Sequence, residues 1–222
     1  MATYTDLFDR PDDVLSDGPD WDVSPLRGSE ILISNERAVH NQIAGGSVVW
    51  AGAGTWGRRQ RSTIELASNY VSGDRVLVMA YMTEDAGYFL RITGAGTFDY
   101  GRMIPTTQTT QIGSQHALPD SATWQPGDTM GLEADDDGNG GTTLSSYHNG
   151  VQLPQVITIL STNPDLLTEG RPGFAMWANT VEIESWSGDD FDATEPAVPT
   201  PINLTTTDIT TTSFRANWEM PS

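Results

Sequence analysis

The sequence predicts an all-β fold, a β-sandwich or jelly roll, and three observations carry that prediction. Apolar residues recur at every second position, the period of a strand, rather than at the 3.6 of a helix. Glycine (22) and proline (13) are scattered along the whole chain together with many threonines, a composition that favours strands and turns. The clusters SGDR, EDAG, DDDGNGG and HNG set Gly, Asn and Asp between the apolar runs, where an antiparallel chain must reverse.

The strands follow in order. SEILIS (29–34), SVVWAG (47–52) and STIELASNYV (62–71) are the first clear strand runs. RVLVMAYM (75–82) is apolar on both faces, as in a strand covered on both sides. In GYFLRIT (87–93), Tyr88, Leu90 and Ile92 point one way and Phe89 and Arg91 the other. DTMGLEA (128–134), TTLSSYH (142–148) and QVITILS (155–161) come next, then GFAMWA (173–178) and TVEIESW (180–186). In GFAMWA, Phe174 and Met176 face the core, which places Ala175 and Trp177 on the opposite face. One helical turn is expected at 163–170, with Asn163 as cap, Pro164 in the first position and Gly170 as the stop.

After Asp192 the composition changes. DATEPAVPTP reads as a stiff proline-rich linker at 193–201, and the remaining residues, 202–222, hold two alternating runs, too little chain for a core. The expected organisation is one β-domain at 1–192, the linker, and the start of a second, incomplete β-domain.

The chain has 30 acidic and 11 basic residues, a net charge of −19, and its basic residues are all arginine. Such a surface repels phosphate backbones and anionic headgroups, which argues against nucleic acid and membranes as partners. The absence of cysteine removes disulfides, thiolate metal sites and cysteine nucleophiles. The opening MATYTDLFDRPDD shows neither the basic nor the apolar region of an export signal.

Asp135, Asp137 and Asn139 supply alternating oxygen ligands, with Gly140 at the sixth position of a calcium-loop pattern. The twelfth position is Ser146 instead of a bidentate Glu, so an EF-hand is excluded. What stays open is a weak calcium site, with a Kd no tighter than about 10⁻⁴ to 10⁻³ M, or a metal-free acidic hairpin tip. The histidines, at 40, 116 and 148, lack ligand spacing and read as surface residues. The basic cluster RRQR (58–61) reads either as a solvated loop or as an ion-pairing patch for an acidic neighbouring subunit.

Two stretches resemble known families. Asp6, Phe8, Arg10, Trp21, Ile31 or Ile33, and Asn35 stand where concanavalin A-like (laminin G-like) jelly rolls of phage and bacterial proteins carry an Asp-x-Phe-x-Arg stretch, a following Trp and an Ile-x-x-Asn. GDTMGLEA, TTLSSYHNGVQL and PGFAMWANTVEIESWSGDDF resemble that family's closing strands, so the likeness spans about residues 4 to 192. In the tail, Pro201, Leu204, Thr210, Thr212, Ser213, Trp218 and Pro221 resemble the first two strands of a fibronectin type III domain.

The jelly-roll resemblance implies sugar binding on one sheet face or its rim, with Trp177 as the stacking residue and Arg91 and Tyr81 as partners. The alternative is that loops cover this face as a second core layer. Glycosidases of this fold use carboxylates on one strand face, and Glu182 and Glu184 are the nearest candidates. Their next alternate residue is Trp186 where the family pattern has a third acid, so a non-enzymatic protein is expected. The two resemblances imply modules that work outside cells, and with no export signal in the opening they imply a phage or phage-derived virion surface protein: a head fibre, capsid decoration or tail-fibre component, a homo-oligomer or multimer with other virion proteins, whose jelly roll either docks on the particle or binds host glycan. A sugar-free structural spacer and a secreted glycan hydrolase are the alternatives.

Overall fold

The computed structural model describes residues 1–28, 30–40, 46–50, 56–69, 75–104, 109–177 and 180–192. The expected linker at 193–201 and the stretch 202–222, expected to begin a fibronectin type III domain, lie outside the described residues. The strands are β1 (Ala2–Asp6), β2 (Asp13–Val14), β3 (Trp21–Gly28), β4 (Leu32–Ile33), β5 (Ala38–Val39), β6 (Gly46–Trp50), β7 (Gln60–Leu66) and β8 (Arg75–Met82). They continue with β9 (Gly87–Gly94), β10 (Thr97–Met103), β11 (Thr109–Ala117), β12 (Thr129–Asp136), β13 (Thr142–His148), β14 (Val151–Ile159), β15 (Arg171–Trp177) and β16 (Ile183–Asp190). All pairings are antiparallel.

Two sheets stack. The first runs β14-β13-β12-β7-β16-β5-β4-β2, with β1 also on β16; the second runs β11-β10-β9-β8-β15-β6-β3. Alternation decides what lies between them. On β7, Gln60, Ser62, Ile64 and Leu66 are buried while Arg61, Thr63 and Glu65 are partly exposed on the outer face. On β9, Tyr88, Leu90 and Ile92 join the main core, as their alternation predicts, and on β15 so do Phe174 and Met176. The centre of that core is aromatic: the Trp21 ring lies edge-on to Trp186 at 4.8 Å and to Phe174 at 5.2 Å.

The Asp-x-Phe-x-Arg…Trp motif proves to be a structural pin. The Asp6 carboxylate accepts hydrogen bonds from Arg10 Nη2 (2.8 Å), the Phe8 backbone N–H (2.8 Å) and Trp21 Nε1 (2.7 Å). One buried charge therefore fixes the end of β1, the turn after it and the first residue of β3. Asn35 takes a left-handed conformation (φ 53°) and donates its N–H to Asp12 Oδ1 at 2.9 Å, closing the turn between β4 and β5.

The expected helical turn at 163–170 does not form. Asn163 caps a tight turn, its Oδ1 accepting the Asp165 N–H (2.8 Å), but the following chain is tied to Tyr88, whose hydroxyl accepts the Leu167 N–H (2.8 Å) and donates to the Asp165 carbonyl (2.9 Å). Tertiary bonds to β9 outweigh a local propensity worth tenths of a kcal/mol per residue. Among the described residues, the short helical turns are 3-10 turns at Leu15–Asp17 and Pro119–Ser121.

Candidate functional site

The outer face of the second sheet, where the sugar site is expected, is closed. Val49, Leu77, Met79, Met82, Phe89, Met103 and Ala175 form a second apolar layer, each no more than 3% exposed. Arg91 does point outward beside Phe89, but its guanidinium forms a bidentate pair with the buried Asp99 across β9 and β10 (Nε to Oδ1 2.9 Å) and lies 5.6 Å from the Phe89 ring centre. Tyr81 is not on that face. It is fully buried in the main core, its hydroxyl donates to the Arg58 carbonyl, and burial pushes its pKa well above the ordinary phenol value. Trp177 ends β15 opposite Arg75, and its side chain lies outside the described residues. Tyr81 is thus corrected to a core residue that does not share a face with Arg91, and Arg91 is held by Asp99.

Tyr81 is misplaced by simple alternation because β8 bulges there. Gly173 pairs with Met79 while Arg171 pairs with Met82, so β8 carries one extra residue. Tyr81 absorbs it with a left-handed backbone, φ 52°, which puts Ala80 and Tyr81 both on the core side and turns Met82 outward. Buried Gln60 of β7 holds the distortion in place: its Oε1 accepts the Tyr81 N–H (3.3 Å), and its Nε2 donates to the carbonyls of Gly170 (3.0 Å) and Gly57 (3.3 Å). Gly170, φ 137°, lies flat on the bulge, where a Cβ would come within 2.3 Å of the Tyr81 carbonyl carbon. Only glycine fits there.

Strained backbone of this kind collects at functional sites, and this bulge forms one wall of a cleft of about 740 Å³ at the edge of β3 and β6. The volume lies within the range of small-molecule sites. Its apolar part is Val23, Val49, Trp56 and Met82. Its polar rim is Asp22, Thr83, Glu84, Glu169 and Arg171. Thr83 Oγ1 accepts the N–H groups of Asp85 (3.2 Å) and Ala86 (3.1 Å), which locks the β8–β9 turn with Glu84 exposed within it. Arg171 pairs with Asp22 at 2.9 Å, whereas Glu84 and Glu169 enter no ion pair among the described residues. The Nε1–H of Trp56 is shielded from solvent and has no hydrogen-bond partner among the described residues. A buried donor left unmatched costs about 1 to 3 kcal/mol.

The remaining candidates resolve as structure. Glu182 and Glu184 both hold Arg37, at 2.8 Å and 3.0 Å. The RRQR arginines pair within the chain: Arg58 with Asp136, and Arg59 and Arg61 with Glu133 of β12. Burial by itself would raise the Glu133 pKa, but the hydrogen bonds and charge of Arg61, with Tyr147 and Arg59, outweigh it and hold the carboxyl below its ordinary range. A glycosidase acid requires the opposite shift.

Asp135, Asp137 and Asn139 do not converge. Asp135 faces Arg59 at 3.4 Å, and Asp137 Oδ1 accepts the N–H groups of Asn139 and Gly141, both at 2.7 Å. Among the described residues no group of three or more metal-capable side chains is gathered. The acidic tip closes its own turn. His148 pairs with Asp128 (3.2 Å), His116 packs on Phe98 (5.5 Å), and His40, expected at the surface, is buried, which lowers its pKa.

Sequence reading missed Asp22, Glu84, Glu169, Gln60 and Trp56. The available signals were the EDAG turn and Gly170, but Gly170 reads as a helix stop until the bulge beneath it is seen.

No protein-family model matches the chain, and no curated protein matches it. Among solved structures, BuGH16Bwt is similar at a TM-score of 0.56 and 10% identity, over 83% of this chain and 90% of its own. The carbohydrate recognition domain of Emp47p is similar at 0.52 and 12% identity, over 85% and 94%. A prokaryotic β-1,3-1,4-glucanase (lichenase) derived from a mouse hindgut metagenome is similar at 0.51 and 9% identity, over 86% and 100%. These likenesses are of fold: the described residues form a two-sheet antiparallel β-sandwich of jelly-roll type, the fold class that the sequence predicts.

Proposed function

We propose that this domain is a non-catalytic glycan-binding jelly roll and that the cleft bounded by Glu84, Glu169 and Arg171 is its sugar site. The observation that supports this most is the make-up of the cleft. Exposed Val23, backed by the nearly buried Val49 and Met82, offers a small apolar wall to the C–H face of a sugar ring, and a rim of carboxylates and one guanidinium suits its hydroxyls. Three carboxylates face a single arginine, so the site favours neutral or amino sugars over uronates and sulfated sugars. The likeness to the Emp47p carbohydrate recognition domain fits this reading.

The likeness to the lichenase favours a second reading, a glycan hydrolase. Against it, Glu182 and Glu184 share one arginine and the Glu133 carboxyl is held ionised, whereas hydrolysis needs a general acid with a raised pKa. The setting on a phage or phage-derived particle rests on the sequence resemblances alone, and purified particles containing the chain would support it.

The test is a glycan array probed with the full chain, followed by titration of the best ligand against Glu84→Ala and Glu169→Ala. Each variant is expected to weaken binding about tenfold, or roughly 1.4 kcal/mol, and mixed-linkage β-1,3-1,4-glucan is expected to release no reducing ends. Silence across the array would move the domain to a sugar-free spacer. Reducing-end release would establish the hydrolase.

A further inference from the structure

We propose that the flank formed by β11 and β14 is the surface through which two copies of this chain associate. β11 ends the second sheet and β14 ends the first. They meet on one side of the sandwich, where a Cβ on Gly113 would lie 3.3 Å from Ile157 Cδ1. No Asp, Glu, Lys or Arg occurs from 103 to 119 or from 138 to 164, so both edge strands are uncharged in a protein of net charge −19. On the opposite flank β2 and β3 end the sheets, and the chain in and around them carries Asp9, Asp12, Asp13, Asp17, Asp20 and Asp22.

This asymmetry selects the occupant. Copies with the same large negative charge repel each other, and the uncharged flank is where two can approach with the least repulsion. A basic partner would be drawn to the acidic flank instead. The neutral side is also where apolar surface is left open. Val151, Val156 and Leu160, exposed by 67%, 44% and 61%, are three of the six large apolar side chains that stand exposed among the described residues. Isolated edge strands are usually guarded by charge, and here that guard is missing. Each strand instead breaks its own ladder, β11 at Gly113 (φ 77°) and β14 near Pro154, where their registers slip. Those breaks oppose continuous strand addition, which leaves a contact made by side chains.

Sedimentation velocity of the full chain at about 0.05 and 0.5 M NaCl tests the proposal. The expected result is a reversible dimer that tightens with salt, because screening relieves the repulsion between copies. Val156→Asp combined with Leu160→Asp is expected to weaken it at least about tenfold with unchanged thermal unfolding, both positions being exposed, and Thr158→Glu on the same strand should act likewise. A chain that stays monomeric at both salt concentrations, or folded variants that dimerise like the parent, overturns it. The former result would leave the flank to a different partner.

Discussion

Replacing Gln60 with leucine tests whether one buried amide holds the cleft wall in shape. Gln60 is fully buried and makes three hydrogen bonds, to the Tyr81 N–H (3.3 Å) and to the carbonyls of Gly170 (3.0 Å) and Gly57 (3.3 Å). Leucine fills similar space and offers none of them. A buried backbone group that loses its partner costs about 1 to 3 kcal/mol; with the two long bonds near the lower end and the Gly170 bond near the middle, the sum is roughly 4 kcal/mol. Apolar burial of leucine returns about 1 kcal/mol. The net loss of about 3 kcal/mol lowers the melting temperature of a domain this size by about 6 to 12 °C. Circular dichroism melts measure the stability, and titration of the best array glycan measures the cleft. Gln60→Glu is the control: it keeps an acceptor for Tyr81 but sets a carboxylate against the Gly170 carbonyl, so it is expected to be at least as destabilised at neutral pH. If Gln60→Leu lies within about 0.5 kcal/mol of the parent, the range of an ordinary surface change, the bulge is held by something other than Gln60 and the reasoning fails.

Two further outcomes are expected. Asp6→Ala withdraws the carboxylate shared by Arg10, the Phe8 N–H and Trp21 Nε1, and should cost about 3 to 5 kcal/mol, read as a lower urea midpoint followed by tryptophan fluorescence. Glu133→Gln should cost about 2 kcal/mol at pH 7, a figure reduced because Arg59 and Arg61 remain partly open to water. Since the folded-state pKa of Glu133 is depressed, its contribution is complete above the ordinary carboxyl value and disappears as pH falls through the folded value. The gap between parent and variant should therefore be constant near neutrality and close in acid; a gap that widens below pH 4 would contradict the pairing.

The two-sided burial of β8, the inward set Tyr88, Leu90 and Ile92, and the division of Phe174 and Met176 from Ala175 were all legible in the sequence, because side-chain direction in a strand is a local property of period two. So was the Asp6, Phe8, Arg10, Trp21 motif, though only as a likeness; its meaning as a single hydrogen-bonded pin required the four groups to be seen together.

Tertiary structure alone decided the rest. The bulge at Tyr81 shifts the alternation by one residue, so a side chain read as outward becomes core, and nothing local to AYM announces it. The turn at Asn163 was decided by Tyr88 from another strand. The arginine run at 58–61 reads as a loop patch until β7 is paired with β12, which brings Glu133 opposite Arg61. The cleft draws Asp22, Glu84 and Glu169 from three distant segments, each an ordinary surface acid in its own stretch of chain. Composition and periodicity fix the fold class because they report burial along the chain; a site depends on which distant segments the sheets bring side by side, and that is set by strand order and register.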